Sequence, residues 1–333
     1  MSDYTTRLAN LSPEKRELLA RRQQQALAAV QRSSNDARGA THAIPRRDDD
    51  APPPLSFAQE NWWARVQQRP DDPWGCVAGV RIAGPLKLTV LEQSLTEIVR
   101  RHEPLRTTFT RRNGELVQVI APPAPFRVPV IDLSGLPDAE REAEVQRQAL
   151  EQVQQPFDLE RGPLFHVAFY RLDDADHAVL LTRHRMILDG WSSGVLLREM
   201  LALYMAFAAG RPSPLPELPI RFSDYTRWQR QWLQSAEGAA DLAYWKQKLR
   251  GAAPITNLPY DHPRPAGQAS SPTTGIGRVL PTTLSESVLA LSRQEGVTLF
   301  MMMLTTFFAL LHRYTKQEDL CIVTYSASRN RPE

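Results

Sequence analysis

The densest run of chemistry-bearing residues is His184-Arg185-Met186-Ile187-Leu188-Asp189-Gly190. An imidazole and a carboxylate five positions apart can hold or transfer a proton near neutral pH. The run lies between an apolar stretch read as a strand and a helical pattern opened by Trp191-Ser192. A strand-to-helix turn is where α/β folds place their sites. A histidine at a strand end is also commonly a packed structural residue, so residue type and spacing leave both roles open. A second run, Arg101-His102-Glu103-Pro104-Leu105-Arg106-Thr107-Thr108-Phe109, joins a helix end to a strand. Its arginines suit a solvated helix C-terminus, or one of them reaches inward to pair with Asp189.

Other chemistries lack their motifs. There is no GxGxxG loop, no P-loop, no CxxC pair and no HExxH. Ser192 and Ser193 lie near His184 without the G-x-S-x-G elbow that presents a nucleophile. Gly275-Ile276-Gly277 is a bare GxG, read as a strand detail, and Met301-Met302-Met303 is read as core helix.

The elements that must position the two runs follow from periodicity. GCVAGVRIAG predicts a strand, and VLEQSLTEIVRRHE a helix with Leu91, Leu95, Ile98 and Val99 on one side. LVQVIAP and VPVIDLS read as strands, and EREAEVQRQALEQV as a helix between Pro137 and Pro156. LFHVAFYRL and HAVLLTRHR form a hairpin across the polar turn Asp173–Asp176, and WSSGVLLREMLALYMAFAAG is a helix closed by Gly210 and Pro212. YTRWQRQWLQ and DLAYWKQKLRG supply aromatic-rich helices, and LPYDHPRP an extended connector. A second α/β unit is expected from about Gly275: strand IGRVL, helices SESVLALSRQEG and TLFMMMLTTFFALLHRYT, strand DLCIVTYSA. Ahead of all this, Ser12, Pro13 and Glu14 start a narrow-striped leader helix, followed by the Pro-rich, charged linker Ser33–Pro54.

At 333 residues the length favours two lobes. Forty Lys+Arg against 37 Asp+Glu leave +3, too near balance to imply a nucleic-acid or anionic-membrane partner. Cys76 and Cys321 form neither a disulfide framework nor a metal cluster, which fits a reducing, cytoplasmic setting. The most apolar run, Thr298–His312, is shorter than the roughly 20 residues of a membrane span, and the N-terminus lacks a secretory signal's apolar core.

Five segments then carry a resemblance. They are Ser56-Phe57-Ala58-Gln59 with Trp63, Arg101–Phe109 (RHExLRTxF), His184–Gly190 in the place of HHxxxDG, Phe222-Ser223-Asp224-Tyr225 with Trp228, and Leu258–Pro265. In this order, from about Pro52 onward, the chain resembles the condensation domain of nonribosomal peptide synthetases. The leader resembles segments that begin synthetase subunits or modules.

The resemblance implies an α/β, two-lobed chloramphenicol-acetyltransferase-like fold with its active site in a tunnel between the lobes. It divides the chain into a leader/docking helix (1–32), a disordered linker (33–54), an N-terminal lobe (55–215), an inter-lobe connector (216–273) and a partial C-terminal lobe (274–333). The implied reaction is attack of an acceptor amine on a donor thioester to form an amide, by positioning and a base near the amine. Substrates would arrive on the phosphopantetheine arms of upstream and downstream carrier proteins, beside adjoining synthetase domains, with no bound cofactor and no metal. In the family the second His of the motif points at the reacting atoms, and here that position is Arg185. Arginine stays protonated and has no acceptor lone pair, so the reaction is expected to be impaired. His184 is expected to face the lobe interior, because neighbours on a strand point to opposite faces. Asp189 is expected to be architectural, paired with Arg106 or else Arg101, with Gly190, Trp191, Ser192 and Trp228 as supporting residues. Asn61 stands where the family's first motif usually has arginine. The later family motifs have no counterpart in these residues, so apolar surface is expected around Met301, Phe307 and Phe308. Two alternatives remain: a non-catalytic docking domain of the same family, and a free-standing acyltransferase using coenzyme A thioesters.

Overall fold

The computed structural model describes residues 43–49, 51–70, 72, 74–252, 258–259, 261, 277–324, 326–327, 331 and 333. The expected leader helix, half of the linker and most of LPYDHPRP lie outside them. The chain divides into two units, one of residues up to Gly238 with those from Ala327 onward, the other Ala239–Ser326.

The first unit opens with helix α1 (Phe57–Gln68), and the first motif segment explains its start. Ser56 Oγ accepts the Gln59 N–H at 3.2 Å while Gln59 Oε1 accepts the Ser56 N–H at 2.9 Å, a reciprocal capping box. Strand β1 (Gly75–Ala83) follows, then helix α2 (Leu88–Arg101), a short 3₁₀ turn (Glu103–Arg106) and strands β2 (Thr107–Arg112) and β3 (Glu115–Ile120). β2 and β3 form a separate antiparallel hairpin, closed by Asn113 and Gly114 with φ of 52° and 85°. An Asn-Gly pair with both φ positive is the turn whose twist matches a two-residue hairpin.

Strand β4 (Val130–Asp132), helix α3 (Asp138–Gln154), strands β5 (Phe165–Asp173) and β6 (Asp176–His184) and helices α4 (Gly190–Ala208) and α5 (Phe222–Leu233) complete its series, and most of the next helix, α6 (Ala236–Lys248), falls in the second unit. The main sheet has the order β1-β6-β5-β4, antiparallel except for β4 beside β5. Its two faces are covered differently. Phe165, Val167 and Phe169 pack with Leu95, Ile98 and Val99 of α2 and Leu196 and Leu203 of α4. Ala168, Tyr170, Ala178 and Leu180 pack with Val145 of α3. On that second face the Tyr170 hydroxyl donates to Gln148 Oε1 and accepts from Gln152 Nε2, both at 3.1 Å.

In the second unit, helices α7 (Thr282–Gln294) and α8 (Leu299–Thr315) match the expected pair, separated by a turn with Gly296 at φ 63° and Thr298 capping Met301 N–H. The two flanking strands expected there are absent from the described residues. Residues 277–280, 319–324 and 326–327 belong to no ladder, and Val279 and Val323 are 98% and 88% exposed. A β pattern becomes a strand only beside another strand, and among the described residues of this unit none lies next to either segment. Met301 and Phe307 are exposed and Phe308 is half-buried. No single helix among the described residues is long and apolar enough to cross a membrane.

Candidate functional site at the β6–α4 turn

The register of β6 sets the orientation of the central run. His184 lies opposite Gly75 and donates its backbone N–H to Leu164 O at 3.0 Å, and the chain then leaves the sheet. Met186, Ile187 and Leu188 turn inward and are all buried, which pins the turn to the α2/α4 core. The turn is closed by two further bonds: Ile187 N–H to His184 O at 3.3 Å, and Gln59 Nε2 to Met186 O at 3.3 Å. Gln59 thus caps α1 and holds the motif turn at once. The S-x-x-Q spacing signals the cap but not the bond to Met186, 127 positions away.

His184 faces the interior, as alternation along β6 requires. It is 2% exposed, and the ring of Phe157 meets it edge-on with centroids 5.6 Å apart. Its Nδ1 accepts the Met186 N–H at 3.1 Å, which places the neutral ring's proton on Nε2. Burial, aided by the neighbouring Arg185 charge, pulls its pKa down to about 4. At neutral pH it is an uncharged, fixed acceptor.

Arg185 points the other way and is exposed. Its backbone N–H donates to Trp74 O at 3.4 Å and its guanidinium lies 5.6 Å from the ring centroid of Trp62. Arg65 lies 5.2 Å from the same ring, and Trp74 packs edge-on against it at 5.7 Å. Neither the role of Trp62 nor that of Arg65 was legible from the central run, because both come from α1, about 120 positions away. Arg65 instead meets Asn61, whose Oδ1 accepts from its Nε at 3.4 Å.

Asp189 is the N-cap of α4. Its Oδ1 accepts from Ser192 N at 2.7 Å and from Ser192 Oγ at 2.6 Å. Gly190 and Trp191 begin the helix, with Trp191 54% exposed. Neither expected arginine meets Asp189. Arg101 is buried, donating to Pro216 O at 2.7 Å and pairing with Glu199 at 3.4 Å, while Arg106 donates to the carbonyls of Val99 and Ala121. The physical reason is proximity: α2 ends among free carbonyls, and the carboxylate facing it across α4 is Glu199. His102 Nε2 also reaches Glu199, at 2.7 Å. Burial pushes the Glu199 carboxyl up, but His102 and Arg101 outweigh it and hold it below the ordinary value.

The second and fourth motif segments meet through a residue that was not singled out. Glu103 is buried and accepts from Ser223 Oγ at 2.7 Å, with Arg221 at 3.5 Å. Trp228 takes part in a ring series along α5, 5.9 Å from Tyr225 and 6.2 Å from Trp232, with Arg331 over it at 4.8 Å. That helix buttresses α1, since Gln229 Oε1 accepts the Phe57 N–H and Arg230 donates to Leu55 O. Among the described residues no three His, Cys, Asp or Glu side chains converge as a metal would need.

Comparison with known proteins agrees with this geometry. Over its full length the chain is 41% identical to part of the phosphinothricin tripeptide synthetase PhsC of Streptomyces viridochromogenes, of which it spans 30%. It is similar to the X-domain from teicoplanin biosynthesis (TM-score 0.69, 26% identity, 82% of this chain and 60% of that one). It is likewise similar to SgcC5 of Streptomyces globisporus (TM-score 0.66, 28% identity, 84% of this chain and 64% of that one). The chain therefore spans about six-tenths of these solved structures and less than a third of that synthetase. Residues 52–333 match the family model of the condensation domain, and the chain belongs to the condensation-domain family of nonribosomal peptide synthetases, with its mixed α/β, chloramphenicol-acetyltransferase-like fold.

Proposed function

We propose that this domain handles carrier-bound thioesters for amide-bond formation and that Arg185 slows or abolishes the step. In this reading the α-amine of an acceptor attacks the donor thioester carbonyl, the thiol leaves, and the ammonium proton must go to a base. Donor and acceptor ride on the phosphopantetheine arms of upstream and downstream carrier proteins in the cytoplasm. Residues 55–215 act as the first lobe, 216–273 as the connector, and 274–333 belong to the second.

The observation that carries the reading is the split between the two motif positions. The exposed position at the turn is occupied by a permanent cation, and the imidazole next to it in the chain, His184, is buried, neutral and bonded to Met186. A lost positioned base typically lowers the rate about 10²–10⁴-fold. Reconstitution with loaded donor and acceptor carrier proteins tests this, comparing the chain in its synthetase with Arg185→His. Amide formation restored by histidine supports it; equal turnover in both forms removes the base argument.

A second reading is a non-catalytic docking domain. Its support is the likeness to the teicoplanin X-domain, which forms a complex with OxyB. Failure of both forms to make amide, with retained binding of a synthetase partner, would favour it.

A further inference from the structure

We propose that Arg185, Trp62 and Arg65 form a recognition site for an oxyanion, taking a ligand whose acyl chain carries a carboxylate. The argument begins with charge. Arg185 and Arg65 are both exposed, and neither has an ion-pair partner among the described residues. Among the described residues, the carboxylates of the same segments are already engaged: Glu60 pairs with Arg230, Asp72 lies 3.6 Å from Arg69, and Asp189 Oδ1 caps α4. Among the described residues two guanidinium charges therefore stand unbalanced, each within 6 Å of the centre of one indole.

The second observation is that this pair is held in place. Trp62 is half-buried, joins the main core and is braced by Trp74 edge-on at 5.7 Å. The Trp74 indole N–H is itself fixed to Arg69 O at 3.0 Å, and Trp74 O receives the Arg185 backbone N–H. Met186 to Leu188, buried directly after Arg185, anchor its backbone from the other side. An arginine laid on an aromatic face keeps its planar fork of donors while losing little side-chain freedom on binding. Such a fork meets carboxylate or phosphate oxygens two at a time. Arg185 supplies that contact, and Arg65 adds charge from the same side of α1 as Trp62. Trp62 offers the acyl chain an apolar wall next to it.

The identity of the ligand rests on the proposed thioester chemistry, whereas the site itself does not. Binding of small thioesters by the full chain, measured by calorimetry without turnover, separates the two. The probes are glutaryl-N-acetylcysteamine and its neutral counterpart valeryl-N-acetylcysteamine, at 50 and 300 mM salt, with inorganic phosphate as competitor. We expect the glutaryl probe to bind at least tenfold more tightly at low salt and to lose most of that margin at high salt. Arg185→Gln should remove most of the preference and Arg65→Gln two- to fourfold of it, with Arg185→Lys retaining part. Competition by phosphate identifies a general oxyanion site, and its absence a carboxylate-selective one; either supports the proposal. Equal binding of the two probes, or a glutaryl preference unchanged in Arg185→Gln with an unaltered melting temperature, overturns it. Because no amide need form, a domain that fails as a catalyst still answers the question.

Discussion

His184 Nδ1 accepts the backbone N–H of Met186 at 3.1 Å. This bond joins the last residue of β6 to the residue after Arg185, so the first position of the motif fixes how the second is displayed. A protonated imidazole has no lone pair at Nδ1 and cannot make it. The motif turn and the charge state of His184 are therefore one system.

Acid should expose that coupling. The His184 pKa is lowered from the ordinary value of 6.5 to about 4, so its contribution to stability is complete above pH 6.5 and is lost as pH falls towards 4. The span corresponds to roughly 3 kcal/mol. Carboxylates titrate in part of the same range, so the quantity to measure is a difference. Urea unfolding of the wild type and His184→Asn should diverge in slope between pH 6.5 and 4, the variant losing less. Parallel slopes would show that the imidazole is not held neutral.

Glu103 and Ser223 should couple energetically. Their side chains meet at 2.7 Å, both buried, and join the 3₁₀ turn to the first turn of α5. Removing the hydroxyl leaves a buried carboxylate short of one donor, at a cost of about 1–3 kcal/mol. A double-mutant cycle of Glu103→Gln and Ser223→Ala should give an interaction energy near 1 kcal/mol or more. Strict additivity of the two single losses would mean that the contact contributes nothing.

Much of the first unit was readable because its signals are local. The β5–β6 hairpin, α2 and α4 follow from periodicity and turn residues, and alternation along β6 places His184 inward. Asn113-Gly114 is an equally local signal for the β2–β3 hairpin. What could not be read was pairing across long separations. Asp189 with Arg106 is a reasonable match of charges, yet each finds partners closer at hand, Ser192 for one and two carbonyls for the other. The Trp62–Arg185 contact joins residues more than a hundred positions apart, and no spacing rule reaches that far. The two missing strands fail for the same reason, since strand formation depends on a neighbour that the pattern itself does not specify.

Glu199 should matter more to stability than its place on α4 suggests. The Arg101 side chain is 2% exposed and Glu199 15%, and Arg101 Nη1 is also held by Pro216 O. Truncation to Glu199→Ala leaves a buried guanidinium without its carboxylate, which for such pairs costs about 3–5 kcal/mol. The carbonyl of Pro216 offsets part of this, so about 3 kcal/mol is expected, with a smaller loss for Glu199→Gln. Chemical denaturation measures both. A change below 1 kcal/mol for the alanine variant would show that Pro216 alone satisfies Arg101.

Gly75 offers a way to move His184 without touching it. A Cβ at this position would sit 3.0 Å from Phe157 Cε2, tighter than most packed contacts, and 3.4 Å from Val153 O, an ordinary contact. Phe157 is the ring that lies edge-on to His184 at 5.6 Å. Gly75→Ala must therefore push Phe157 aside by a few tenths of an ångström. Overpacking of this sort costs about 1–3 kcal/mol. It should also open His184 to water and raise its pKa from about 4 towards 6.5, because burial is the main cause of the depression. The imidazole resonances followed by NMR between pH 3.5 and 7 measure that shift directly. Phe157→Leu in the Gly75→Ala background should recover stability by making room, while leaving the pKa raised because the ring that seals the histidine is gone. Destabilisation by Gly75→Ala with an unmoved His184 titration would show that Phe157 yields in another direction and that the seal on the imidazole lies elsewhere.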